Sequence, residues 1–305
     1  PTRRSSDLIK IMGTSIKKHD VNIKRKIGLV PQKIAIYEDF TAKENISFFG
    51  ELYGLRGREL KEAVERALEF VGLKEVGYYT TAQNISTIIS TLLLSVIHAT
   101  IPRLSHYIAS DNDEKYVNLL DKITKIYFML LFPAAIGMIV LAKEIILIYG
   151  GQEYIDAVPM LVVFSIYMIT LGYETILGNQ VMYVKKKEKK QVEMIFVGGF
   201  INLVLNIFLL KINLLNGTYS IITTLIANII VIILECLYIR KKLNLDFNIF
   251  SLDKNKYLFL SLIFIPVTNL INHFANNLFV ISILSIIINV TLYFGVLLII
   301  KDKPF

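Results

Sequence analysis

Seven long apolar runs constrain the fold of this chain more than any other feature, and they fill the sequence from about residue 76 to the C-terminus. A helix that crosses a lipid bilayer needs about 20 consecutive, mainly apolar residues. Many residues in these runs are β-branched, which would favour strands in water. Runs this long favour helices in lipid, because every backbone group there has to be paired within its own segment. The predicted spans are residues 83–101, 126–148, 158–184, 192–210, 217–239, 257–271 and 278–300.

Composition agrees with a membrane protein and excludes several other classes. Hydrophobic residues make up 54% of the chain and charged residues 19%, whereas a soluble domain carries about 25% charged residues. Residues 1–76 hold 15 of the 33 Lys and Arg and have the composition of a soluble protein. The single cysteine, Cys236, excludes a disulfide framework within the chain, and four scattered histidines suggest no metal site. We therefore expect no metal and no cofactor, and we assign the net charge of +8 to cytoplasmic loops rather than to nucleic-acid binding.

The basic residues of the loops predict the orientation. Sixteen Lys and Arg lie after the first, third and fifth spans and in the C-terminal tail, whereas the opposite loops hold only Lys211. The positive-inside rule places the richer side, which includes the lysine-rich loop 185–190, in the cytoplasm. The C-terminus is then cytoplasmic, and seven crossings place residue 76 on the outer side of the membrane.

Residues 9–75 are predicted to be an incomplete α/β fragment that precedes the mainly α, multi-spanning transmembrane bundle. The apolar run 26–30 ends at a proline and is typical of a strand. Thr41 and Glu44 form a capping box that starts a helix. Apolar residues between positions 60 and 71 then recur at helical spacing, which predicts a second helix with one buried face.

Three stretches of this fragment, residues 27–32, 37–46 and 48–55, resemble the Q-loop region of ABC transporter ATPases. The resemblance implies that Gln32 is the Q-loop glutamine, which in that family contacts magnesium and couples ATP to the transmembrane partner. Phosphate binding needs a glycine-rich loop that contains Gly-Lys, and the chain has no Gly-Lys pair. We therefore expect Gln32 to be a Q-loop residue without a nucleotide-binding site beside it. We also expect that the chain is not an enzyme.

Residues 1–8 resemble the translation of a sequencing adapter, and a disordered basic terminus is the alternative interpretation. We therefore expect residues 1–8 to contribute nothing to the fold.

Residues 76–305 resemble the C-terminal half of polysaccharide flippases of the multidrug/oligosaccharidyl-lipid/polysaccharide exporter superfamily. The resemblance rests on the order and spacing of six features, at residues 76–82, 101–105, 171–172, 177–180, 185–190 and 202–206. It implies a two-lobed helical bundle that moves lipid-linked oligosaccharide across the cytoplasmic membrane by alternating access. The chain has no counterpart of the N-terminal lobe, so this lobe is an expected partner and we expect no unaided transport.

Polar residues within the spans are the candidates for a substrate or ion pathway, because polar groups in lipid are costly and usually face a cavity or a neighbouring helix. His98 either contacts an anionic substrate or carries a proton, or it bonds a neighbouring helix. Glu174 has a functional role or forms a structural ion pair. Glu235 and Glu144 lie near the ends of apolar runs and are expected at the membrane interface. The full set of candidates is His98, Glu174, Asn179, Gln180, Asn202 and Asn206.

Two of these candidates, Asn202 and Asn206, are spaced four residues apart and share one helix face. This face either packs against another helix or lines a cavity. Asn179 and Gln180 are expected to form hydrogen bonds between helices.

The sequence favours a flippase fragment in the cell membrane over two alternatives. The first is an ABC transporter component in which an incomplete ATP-binding domain is fused to a permease, and the second is a membrane scaffold without transport. An ATP-binding fragment has to be cytoplasmic, which seven crossings contradict. Because no Ser- or Pro-rich linker separates the two resemblances, we predict a fusion of two unrelated genes between about Leu73 and Gly77. The adapter-like start favours an assembly error over a natural fusion.

Overall fold

The computed structural model describes residues 10–11, 14–15, 37, 40–70, 72–243, 245–275 and 277–301. The chain divides into two units, Pro1–Lys74 and Glu75–Phe305. Gln32, the predicted strand 26–30 and the segment 1–8 lie outside the described residues.

The described part of the first unit is a two-stranded antiparallel hairpin followed by two helices. Its second helix buries Val64 and Leu68 from the predicted apolar face. The elements are β1 (Lys10–Ile11), β2 (Thr14–Ser15), α1 (Ala42–Leu52) and α2 (Gly57–Phe70).

The predicted capping box is present at the start of α1. The Thr41 hydroxyl accepts a hydrogen bond from the Glu44 amide at 3.2 Å, and the Glu44 carboxylate accepts one from the Thr41 amide at 2.7 Å. The backbone bond from Thr41 lowers the pKa of the Glu44 carboxyl. Asn45 is buried, and its side-chain amide donates to the carbonyls of Tyr37 and Phe40 at 3.0 Å. These bonds fix the chain where it enters the helix.

The membrane part consists of nine α-helices in its described residues, with a 3₁₀ turn (Gln152–Ala157) and two π-helical segments (Ile176–Tyr183 and Ile239–Leu243) that extend two of them. Seven helical segments among the described residues are long and apolar enough to cross a membrane, which confirms the predicted number of spans. The helices are α3 (Leu73–Ala109), α4 (Asp113–Val140), α5 (Ala142–Gly150), α6 (Val158–Thr175), α7 (Glu188–Lys211), α8 (Gly217–Tyr238), α9 (Leu252–Ser261), α10 (Phe264–Phe274) and α11 (Leu278–Ile299).

Two spans differ from their predicted form because they are broken. The predicted span 126–148 ends at Val140, and the short helix α5 starts after a break at Leu141. The sixth span breaks at Leu262 and Ile263, between α9 and α10. The second break has a clear cause, because Pro266 has no amide for the carbonyl of Leu262, four residues earlier, and its ring would clash with that carbonyl.

Helix α6 lies at the centre of the bundle, where it packs against α4 on one side and α8 on the other. Gly172 lies in the contact between α6 and α4. A Cβ atom there would lie 2.6 Å from Leu131 Cδ2 and 2.9 Å from Tyr127 Cε1. Contacts that short do not occur, so the close approach of the two helices requires glycine at this position.

Helix α7 packs against α8 at Gly198, where a Cβ atom would lie 2.5 Å from Val231 Cγ2 and 3.3 Å from the Ala227 carbonyl oxygen. The rest of α7 is largely exposed, since only 6% of its most apolar 18 residues are buried. Phe196 and Phe200 on its outer face are 75% and 67% exposed. An apolar face of this kind is stable in lipid.

The packing of α7 on α8 leads to a prediction about two adjacent glycines. Gly198→Ala would overpack the helix contact and lower the stability of the membrane part by about 1–3 kcal/mol. Gly199→Ala is the matched control, because a Cβ atom there meets nothing within 4 Å. Thermal unfolding of both variants in the same detergent measures the difference. Equal unfolding temperatures for the two variants would contradict the packing at Gly198.

Candidate functional site

A stripe of polar side chains follows one exposed face of α3. Its members are spaced three or four residues apart, so they lie above one another on the same side of the helix. The opposite face of α3 is buried in the bundle through apolar residues such as Ala82, Ile85 and Ile97. The exposed residues, called the polar stripe below, are Asn84, Thr87, Thr91, Ser95 and His98.

The polar stripe is unusual for a helix that crosses a membrane. Polar side chains that face lipid are destabilising, so they normally point into a cavity or against a partner helix. One member, Ser95, satisfies its hydroxyl locally by donating to the carbonyl of Leu92 at 2.6 Å. His98 lies at the C-terminal end of the stripe and is exposed, so no neighbouring helix in the described part of the bundle covers it. The stripe is therefore suited to a water-filled surface.

A second polar feature is a cleft of about 310 Å³ between α6, α7 and α8. It brings together two of the predicted site residues, Glu174 and Asn202, and adds Asn228 from α8. The other lining residues are Tyr167, Leu171, Ile195, Gly198, Gly199, Thr224, Ala227 and Val231.

Glu174 is held in place by a side chain from the next span. The Gln191 side chain forms a hydrogen bond with the Glu174 carboxyl. Gly178 leaves the space for this contact, since a Cβ atom there would lie 3.0 Å from Gln191 Cδ and 3.3 Å from Glu174 Oε1. Glu174 therefore has a polar partner and no salt bridge among the described residues.

Asn202 and Asn206 form an amide and hydroxyl network between α7 and α8. The Asn206 amide donates to Asn202 Oδ1 at 3.0 Å, and the Asn202 amide donates to Thr224 Oγ1 at 3.3 Å. The Thr223 hydroxyl donates to Asn206 Oδ1 at 2.8 Å. The face that these two residues share therefore packs against α8, and Asn202 also lines the cleft.

Gln180 is completely buried, and it joins three elements rather than lining a path. Its side-chain amide donates to Thr100 Oγ1 of α3 at 2.9 Å. Its backbone carbonyl oxygen accepts a hydrogen bond from the Tyr116 hydroxyl of α4 at 2.8 Å. The neighbouring residue, Asn179, is half-buried and does not line the cleft. His98 lies on the polar stripe and does not line the cleft.

Glu235 and Glu144, which are expected at the membrane interface, are both covered by neighbouring parts of the bundle. Glu235 is 0% exposed and Glu144 is 6% exposed. Neither carboxylate oxygen of Glu235 has a hydrogen-bond partner in the described part of the chain. The position of an acidic residue near the end of an apolar run does not reveal whether neighbouring helices bury its side chain. The sequence did carry a signal of burial, because the spacing of Asn228, Val231 and Glu235 places all three on one face of α8.

Comparisons with known proteins agree with this architecture. Residues 69–159 match the sequence model of a family described as "Polysaccharide biosynthesis protein". The chain is similar in structure to a protein described as "Lipid II flippase MurJ, inward closed conformation", with a TM-score of 0.57 and 17% identity. The similarity covers 84% of this chain and 50% of that chain. At this level of identity the similarity shows the fold, so the membrane part has a flippase-like fold.

Other relatives are ATP-binding proteins. The chain is 46% identical over 67 residues to the linearmycin resistance ATP-binding protein LnrL of Bacillus subtilis (strain 168). These 67 residues are 22% of this chain and 22% of that protein. It is 32% identical over 71 residues to the probable multidrug ABC transporter ATP-binding protein YbhF of Escherichia coli (strain K12), covering 23% of this chain and 12% of that protein. The chain thus spans about a fifth or less of the length of these relatives.

Fold and comparisons together define a multi-spanning membrane protein of flippase-like fold that also carries an ABC-type ATP-binding fragment. Both predicted resemblances are confirmed. The ATP-binding relatives support the fragment, and the family match and the solved structure support the flippase-like part.

The polar stripe generates a prediction about water access. In a Cys236→Ala background, Thr91→Cys and Ser95→Cys should react with a membrane-impermeant thiol reagent in liposomes, because their side chains lie on a hydrated face. Ile287→Cys is the control, since Ile287 is 56% exposed on the largely apolar surface of α11. It should stay unlabelled. Protection of all three positions would show that lipid covers the stripe.

Proposed function

We propose that residues 76–305 form one lobe of a flippase, a transporter rather than an enzyme, that moves lipid-linked oligosaccharide across the cell membrane by alternating access. The observation that carries this proposal is the polar stripe on α3. A transporter lobe needs a hydrated face towards its partner lobe, whereas a scaffold helix in lipid would be apolar all round. The flippase-like fold supports the same conclusion.

The second lobe is a required partner in this proposal. The chain covers 50% of the structurally similar flippase. Alternating access needs two bodies that rock against each other around a site between them. The exposed polar stripe is the surface that would face this site, and His98 is the residue there that can carry a positive charge towards an anionic phosphate.

An ABC transporter component is the second candidate function, because the ATP-binding relatives support it. It requires the ATP-binding fragment to lie on the cytoplasmic side, where ATP is available. If the C-terminus is cytoplasmic, as the positive-inside rule predicts, seven crossings require the N-terminus of the first span to lie on the outer side. We therefore favour the flippase lobe, and we propose that the two parts are joined between about Leu73 and Gly77, where α3 begins.

Transport tests the proposal directly. The purified chain in liposomes should not flip a fluorescent lipid-linked oligosaccharide by itself, but should do so together with the N-terminal half of a related flippase. In the combined system, His98→Ala and Glu174→Gln should each slow flipping roughly tenfold, which corresponds to about 1.4 kcal/mol. Asn289→Leu is the control, because Asn289 is buried, donates to Thr268 of α10 and does not line the cleft. Equal rates in all three variants would remove both residues from the pathway.

Topology separates the two candidate functions. In the Cys236→Ala background, Lys187→Cys and Lys241→Cys should be labelled only from the cytoplasmic side, and Gln152→Cys only from the outer side. The reason is the excess of basic residues in the loops that contain positions 187 and 241. Labelling of positions 152 and 187 from the same side would mean that the number of crossings is wrong, and the ABC transporter component would then become possible.

A further inference from the structure

Glu235 is the most isolated charged group of the membrane part. Its side chain is 0% exposed, and neither carboxylate oxygen receives a hydrogen bond in the described residues. Moving an ionised carboxylate out of water without a partner costs far more than protonating it. A carboxyl group in this position is therefore stable only when it carries a proton or when a cation joins it.

Helix α8, which carries Glu235, packs against α6, α7 and the π-helical segment 176–183. On α6, Glu174 lines the cleft together with Val231, which lies one turn before Glu235 on the same face of α8. Cys236 adjoins it on α8. At the start of α7, Lys190 is paired with Glu193 at 2.6 Å, and Tyr238 on α8 lies near this lysine. Glu235 thus lies one helical turn from a cleft that holds a second carboxyl group, and it forms no salt bridge among the described residues.

The cleft between α6, α7 and α8 gives this pair a route to water. Glu174 lines the cleft, as do Asn228 and Val231, which lie seven and four residues before Glu235 on the same face of α8. The buried Oδ1 atom of Asn228 also lacks a hydrogen-bond donor among the described residues. Glu235 itself is buried and is not among the lining residues. Glu174 is therefore the member of the pair in contact with the cleft, and Glu235 is the enclosed member.

We propose that Glu174 and Glu235 form a proton-binding pair, in which Glu235 stores one proton that enters and leaves through Glu174 and the cleft. Two like charges at close range cannot both be retained in a medium of low polarity, so the pair carries at most one negative charge. The proton belongs on Glu235, because Glu174 already receives a hydrogen bond from Gln191 and Glu235 receives none. The transferred species is H⁺ alone, so no bond to carbon and no redox partner is involved.

A monovalent or divalent cation is the competing ligand for such oxygens. The described residues contain no group of three or more acidic, histidine or cysteine side chains that could hold a metal ion. A pair of carboxyl groups with a single nearby amide oxygen gives fewer ligands than the six to eight oxygens of calcium sites. The proton is therefore the ligand that we assign, and the experiment distinguishes it from a cation. The site does not depend on the proposed transport activity.

Dicyclohexylcarbodiimide tests the site in the full chain, because this reagent modifies protonated carboxyl groups in apolar surroundings. In detergent at pH 7, peptide mass spectrometry should find the adduct on Glu235. Labelling should fall as pH rises and should be the same in sodium chloride and in choline chloride. Sodium-dependent protection would make the site a cation site, and absence of labelling at every pH would show that Glu235 holds no proton. Either result overturns the proposal.

Variants test the pairing of the two carboxyl groups. Glu174→Gln removes the neighbouring charge, so Glu235 should ionise more easily, and the midpoint of labelling should move to lower pH by about one unit, a tenfold loss at a fixed pH. Glu188→Gln is the control, because Glu188 is exposed at the start of α7 and should leave the midpoint unchanged. An unchanged midpoint in Glu174→Gln would overturn the pairing. The titration and the salt comparison use the unmodified chain, so they remain decisive if a variant does not fold.

Discussion

The close packing of α6 between α4 and α8 is the interaction on which the rest of the membrane part depends. It is possible because Gly172 has no side chain to collide with Leu131 and Tyr127. Helices in lipid gain little from hydrophobic association, since the lipid is as apolar as the helix surface. Contact through small residues therefore has to supply the attraction. With α6 fixed in the centre, the cleft, the Gln191–Glu174 bond and the buried Glu235 all have defined positions.

Polar groups in the bundle fall into two classes, and the difference points to function. Gln180 donates to Thr100 of α3 and Asn206 accepts from Thr223 of α8, so both help to specify how these helices align. At the other extreme, Glu235 is buried without a donor in the described residues, and the polar stripe is exposed on a helix of membrane-spanning length. Groups that lower stability in this way persist where a ligand, a proton or a second lobe completes them.

The sequence determined the class of the protein and the number of spans, because the requirement for paired backbone groups in lipid allows long apolar runs only one structure. It also determined the capping box at Thr41 and Glu44, because the hydrogen bonds of a capping box are local. The candidates for a pathway could be named from the sequence only as polar residues that lie within the spans. It did not locate the break at Leu141, because α5 is apolar too, and composition does not distinguish one helix from two.

Only the tertiary structure decided what each polar residue does. Periodicity placed Asn202 and Asn206 on one face, but the choice between packing and lining depended on where Thr223 and Thr224 of the next helix lie. The same holds for Glu235, whose position near the end of an apolar run predicted the interface, while its contacts bury it fully. Burial of a side chain is a property of the neighbours that cover it. Those neighbours come from distant parts of the chain, and their arrangement is set by helix packing rather than by local sequence.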